Sequence, residues 1–92
     1  MKPEYISYDV AFGKLFNKYN GRLNDDERQR LKKRPEIFKE DVFDKRLKTH
    51  KLKGALGNYY AFSINYSDRI VFKILDDGGI YFIEIGSHDV CY

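Results

Sequence analysis

Two histidines, an aspartate–arginine pair and a cluster of lysines are the side chains of this chain that could move protons or hold phosphate. His50 stands inside Lys45-Arg46-Leu47-Lys48-Thr49-His50-Lys51-Leu52-Lys53-Gly54, ten positions with five basic residues, no carboxylate and almost no core. His88 comes near the other end, in Ile85-Gly86-Ser87-His88-Asp89, directly after an apolar run. Histidine titrates near neutrality, so either one could act as general acid or base. Asp68-Arg69 follows Asn65-Tyr66-Ser67. The bland reading of Asp68 is a turn residue that satisfies backbone amides. Arg69 opens a strand whose next residue, Ile70, faces the core, so its planar fork should project from the opposite face, where it could clamp a phosphate. Lys48, Lys51, Lys53 and Lys73 add non-directional attraction, although any one of them could equally be a solvated surface charge. Most of the tyrosines are expected to be core or half-core; Tyr92 is the one least needed for packing and could stack on a base. His50, His88 and Cys91 lack a second close pair of ligands, so no metal and no cofactor is expected.

These groups must be carried by one domain, residues 1–92, because 92 residues leave no room for a second core. Hydrophobic residues make up 42% and aromatic ones 16%, which predicts a packed interior rather than disorder. The net charge of +3 is modest, but its distribution is uneven. Residues 1–53 hold 15 Lys/Arg against 9 Asp/Glu, whereas residues 54–92 hold 2 against 5. That asymmetry points to a polyanion, with nucleic acid the first partner to test. A single cysteine excludes an intrachain disulfide and favours a reducing compartment. No apolar run approaches the roughly 20 residues that cross a bilayer, and the first residues lack the apolar stretch of a signal peptide. A cytoplasmic location without a membrane is expected.

The elements follow from periodicity. Tyr5 to Tyr8 reads as a short strand. Phe12, Leu15, Phe16 and Tyr19 are spaced for a helix with one buried face, closed by Asn20-Gly21. Asn24 before Asp25, Asp26 and Glu27 marks a second helix start. Pro35 is expected to break or kink that helix, which resumes through Ile37, Phe38, Val42 and Phe43. From Leu47 the period becomes two. Tyr60, Phe62, Ile64 and Tyr66 alternate in one strand, and Ile70, Phe72 and Ile74 in the next, with Arg69, Val71 and Lys73 on its other face. Asp76-Asp77-Gly78-Gly79 signals a hairpin into a last strand, Ile80 to Ile85. The sum is an α+β domain of order β-α-α-β-β-β, an antiparallel sheet with two N-terminal helices packed on one face.

The run His50-Lys51-Leu52-Lys53-Gly54, Tyr59 to Ile64, Asp68 to Ile74 and Ile85 to Asp89 resembles the RelE/ParE superfamily of bacterial toxins, and among them the RelE-type mRNA interferases of the YafQ branch. The likeness covers roughly residues 45–92 in sequence and residues 5–44 in helix order only. It implies a RelE-like fold and the toxin of a type II toxin–antitoxin pair that enters the ribosomal A site and cleaves mRNA there. It also implies a cognate antitoxin as partner. Position by position, His50 aligns with a catalytic histidine of the branch, Asp68 with its catalytic aspartate, and His88 with its C-terminal histidine. Arg69 stands where RelE-type members keep a phosphate-binding arginine, and Tyr92 matches an aromatic near the C-terminus. One position departs: the branch has a further histidine shortly before the aspartate, and here that residue is Ile64.

The residues fit metal-free RNA cleavage without the analogy. The 2′-OH is the nucleophile; a base removes its proton, cations stabilise the phosphorane, and an acid protonates the leaving 5′-oxygen. His88 is assigned the acid, His50 or Asp68 the base, and Arg69, Lys51 and Lys53 the charge stabilisation. The acid and base labels can be exchanged. A ParE-type, non-catalytic inhibitor of DNA gyrase, and an inactive antitoxin-binding member, are the alternatives from other classes.

Overall fold

The computed structural model describes residues 1–54 and 59–87. Strand β1 (Ile6–Tyr8) leads into helices α1 (Val10–Gly21) and α2 (Asp25–Glu40), followed by a single 3-10 turn at Lys45–Leu47. Four more strands come after it: β2 (His50–Lys51), β3 (Tyr59–Ser63), β4 (Asp68–Ile74) and β5 (Ile80–Ser87). This is the α+β order expected from the change of period, with the two-residue β2 as an addition.

The helix starts are set by side chains that take up unpaired amides. Asp9 accepts from the Phe12 amide at 2.9 Å and opens α1. At α2, Asn24 accepts from the Glu27 amide and Glu27 from the Asn24 amide, both at 2.9 Å, a complete capping box. Pro35 does not break α2, contrary to expectation; the helix runs through it. A proline inside a helix costs about 3 kcal/mol. Leu31 and Phe38, two turns apart on the same face and both buried, together offset it at about 1.5–3 kcal/mol each. The helix instead stops at Glu40, with Val42 buried in the turn beyond and Phe43 exposed, its ring edge-on to Tyr60.

The sheet has the order β1-β5-β4-β3-β2. From β2 to β5 each strand runs antiparallel to its neighbour, as expected. β1 joins the outer edge of β5 in parallel, Ile6 opposite Ile80 and Tyr8 opposite Phe82, so the sheet is mixed rather than wholly antiparallel. The reason is connectivity: a meander leaves only its two outer edges unpaired, and the two helices between β1 and the meander are a crossover long enough for β1 to take the edge of β5 in parallel, where the Ile80 amide donates to the Tyr5 carbonyl at 2.9 Å. The β4–β5 turn is the hairpin signalled by Asp76 to Gly79. Gly78 has a φ of 87°, and a Cβ on Gly79 would fall inside the Tyr5 ring.

The core lies between the helices and one face of the sheet. Phe38 of α2 stacks on Phe62 at 4.5 Å and meets Phe72 at 5.1 Å and Phe82 at 5.6 Å edge-on. Such pairs add about 0.5–1.5 kcal/mol each beyond their burial. Leu47 is fully buried in the same core, so the basic decapeptide is pinned at one point rather than coreless. Tyr66 also departs from expectation. β3 ends at Ser63, and Tyr66 stands fully exposed at the tip of the β3–β4 turn. Among the described residues no helix is long and apolar enough to cross a membrane.

Candidate active site

Strand alternation sorts the candidate residues onto two faces. Ile70 and Phe72 point at the helices, so Arg69, Val71 and Lys73 point away from them. In register, Ala61 lies opposite Val71, and His50 opposite Ala61. His50 therefore shares the face distal to the helices with Arg69 and Lys73. Between them Ala61 and Val71 form a small buried apolar cluster, with Leu52 packed against it.

His50 is exposed on edge strand β2, and its Nδ1 is 3.1 Å from the Lys48 carbonyl. A carbonyl can only accept, so Nδ1 carries the proton, and the lone pair of the neutral ring is on Nε2. The donor is thus spent on the backbone and Nε2 is left for proton transfer. Lys48 makes this contact possible by taking a left-handed conformation, φ 52° and ψ 38°, after the 3-10 turn. Thr49 fixes the same turn through its hydroxyl, which donates to the Val42 carbonyl at 2.6 Å.

Arg69 is paired in the ladder between Ser63 and Gly86 and is 6% exposed. Arg69 is thus largely covered, rather than projecting freely from an open face as expected. Lys73, four residues along, has its Nζ 5.7 Å from the centre of the Tyr59 ring. Strand spacing and rise place the Cα atoms of His50 and Arg69 roughly 12 Å apart, a gap of nucleotide size. Lys51 pairs with Tyr60 and leaves the strand toward the other face, while Lys48 and Lys53 are exposed beside β2.

Asp68 is placed differently. It opens β4 opposite Ser87 on the helix side, and its Oδ2 accepts from the Tyr19 hydroxyl at 2.6 Å and from Asn65 Nδ2 at 3.2 Å. Asn65 Nδ2 also donates to the Tyr19 oxygen at 2.8 Å, closing a triangle. Burial, with the Asp68 carboxylate beside it, pushes the Tyr19 phenol far above its ordinary range, so it stays a donor. Asn65 Oδ1 meanwhile accepts from the amides of Ser67 and Asp68, which shapes the turn. By strand spacing and rise His50 and Asp68 are roughly 14 Å apart with their side chains on opposite faces, so the ladder does not bring the two together.

His88 and Tyr92 lie outside the described residues; His88 follows Ser87, the partner of Asp68, directly in the chain. Sequence reasoning missed two groups. Tyr19, read as core, bonds to Asp68 through its hydroxyl. Glu84 lies opposite Val71 and puts a carboxylate on the distal face between Arg69 and Lys73. Its signal was available: Glu84 is the one charged residue in the otherwise apolar strand β5. Among the described residues no three His, Cys, Asp or Glu side chains gather as a metal site.

No family model matches the chain, and no curated protein sequence matches it. Solved structures match over nearly the full length. The Escherichia coli DinJ-YafQ toxin–antitoxin complex contains a chain of TM-score 0.75 and 19% identity, with 100% of this chain and 99% of that chain covered. The archaeal RelE-RelB complex of Pyrococcus horikoshii gives TM-score 0.67 at 13% identity, covering 95% and 96%. The YoeB dimer of Staphylococcus aureus gives 0.68 at 21%, covering 91% and 95%. The chain is similar to these toxins in fold, from β1 through both helices to β5. The fold class is that of RelE-type toxins of toxin–antitoxin pairs.

Proposed function

We propose that this protein is the toxin of a type II toxin–antitoxin pair and an endoribonuclease that cleaves mRNA in the ribosomal A site. The observation that carries the proposal is an exposed His50, its Nδ1 turned to the Lys48 carbonyl, on the same sheet face as Arg69 and Lys73. The full-length fold likeness to toxins solved with antitoxins supports an antitoxin as partner.

In this reading a base removes the 2′-OH proton, O2′ attacks phosphorus, and the P–O5′ bond breaks. The acid protonates O5′, leaving a 2′,3′-cyclic phosphate and a 5′-hydroxyl. Of the two candidate bases the geometry favours His50, since Asp68 Oδ2 already accepts two hydrogen bonds on the other side of the sheet. His88 supplies the acid. Lys73 and the largely buried Arg69 lie on the same face and supply positive charge for the phosphorane. Lys48, Lys53 and Tyr92 serve as outer contacts to RNA, whereas Lys51, on the other face of β2, is set apart from the phosphorane.

Primer extension on cellular mRNA after induction of the protein tests this. Discrete cuts that need ribosomes are the expected outcome. Supercoiling defects without cuts would instead identify a gyrase inhibitor, and unimpaired growth an inactive antitoxin-binding protein.

A further inference from the structure

The distal face does not use the most basic element of the molecule. Helix α2 carries Arg28, Arg30, Lys32, Lys33, Arg34 and Lys39 after its first turn, and it packs on the opposite side of the sheet. Arg28 is engaged by Asp25 at 3.5 Å, but Arg30, Lys33 and Arg34 meet no carboxylate among the described residues. These three border a groove of about 520 Å³ whose other wall is the β3–β4 turn with Tyr66. Ile37 and Ile64 line it too. Tyr66 buries none of its ring against the protein, although an aromatic of this size is worth burying. The backbone on either side of it is shaped by Asn65, whose Oδ1 accepts from the amides of Ser67 and Asp68. Arg34 is also oriented, donating through Nη1 to the Arg46 carbonyl at 2.6 Å, while Arg46 is itself neutralised by Asp44 at 2.9 Å.

We propose that this groove is a second RNA site, in which Arg30, Lys33 and Arg34 hold successive phosphates and Tyr66 stacks on an unpaired base. Three cations that make no ion pair among the described residues, beside one exposed ring, match the chemistry of a single-stranded segment. An acidic protein segment would be drawn by the same charge, but would leave the ring of Tyr66 without a planar partner. The site lies on the face away from His50, so a strand bound there is held without being cut. The inference rests on the proposed RNA-directed function and adds an anchoring surface to it. The RNA could be ribosomal or the message itself, both of which offer phosphates and unpaired bases.

Binding is measured with the full chain carrying His50→Ala, so that cleavage cannot alter the readout. One arm uses a short fluorescent single-stranded RNA, the other purified ribosomes in a sedimentation assay. Arg30→Ala with Lys33→Ala should lower the slope of log affinity against log salt by about 1.4, at about 0.7 per phosphate contact. Tyr66→Ala should weaken binding about five- to a hundredfold at unchanged slope, and Tyr66→Phe should restore it. All three positions are exposed, and an unchanged melting temperature confirms the fold. Loss confined to ribosomes assigns the groove to ribosomal RNA; loss on the oligonucleotide assigns it to the message. Affinity for both RNAs unchanged in every groove variant, or loss only of antitoxin binding, overturns the inference and leaves the proposed function standing. A His50→Ala chain that binds neither RNA defeats both.

Discussion

At the scale of single residues the account depends on which side of a strand a side chain leaves. His50 and Asp68 were equal candidates for the base in the sequence, because residue type and strand-end location favour both. Only the pairing register separates them, through Ala61 and Val71 for the one and Ser87 for the other. Register is a long-range property and cannot be read from local spacing. The division has a consequence for Asp68→Asn. Because Asp68 Oδ2 accepts from Tyr19 and Asn65, this change should weaken the Tyr19 bond and lower stability by about 1 kcal/mol, the difference between a charged and a neutral acceptor. Cleavage at a temperature where the variant is folded should remain within about tenfold of wild type. A denaturant curve and a single-turnover rate, measured side by side, check both halves.

At the scale of elements, much of the fold was legible. Asn24 with Asp25, Asp26 and Glu27 marks α2 because capping is a local interaction between neighbours in the chain. Asn24→Ala should therefore cost about 1 kcal/mol, read as a shift in the urea midpoint. Pro35 misleads for the converse reason: its penalty is local, and the burial of Leu31 and Phe38 that outweighs it is tertiary. Tyr66 misleads because alternation continues in the sequence past the point where the Asn65 turn ends the strand. The link from α1 to that turn is the Tyr19–Asp68 bond, and it makes a pH prediction. The Tyr19 phenol is raised in the folded state above its ordinary value of 10.0. Its contribution to stability is fully present below pH 10.0 and is lost as the pH climbs toward the folded value. Wild type should lose stability along this alkaline limb, and Tyr19→Phe should show a shallower decline. Parallel urea titrations across that range provide the test.

At the scale of the whole molecule the sequence revealed the charge asymmetry but not its division between two surfaces. The lysines of 45–53 drew attention because they surround a histidine, yet Lys51 leaves β2 on the other side from His50. The arginines of α2 are part of the basic first half of the chain, and the fold sets Arg30 and Arg34 beside Tyr66. The distal face should show its own salt dependence. Lys73→Ala should lower the salt slope of RNA binding by about 0.7, the value of one phosphate contact, with the melting temperature little changed. The central claim is that His50 Nε2 acts as the base on a phosphodiester held against the distal face. It is tested most directly by the rate and products of mRNA cleavage on purified ribosomes, comparing wild type with His50→Ala. Wild type should give fragments ending in a 2′,3′-cyclic phosphate, and the variant a rate about 10²- to 10⁴-fold lower. A His50→Ala protein that cuts at the wild-type rate would contradict it.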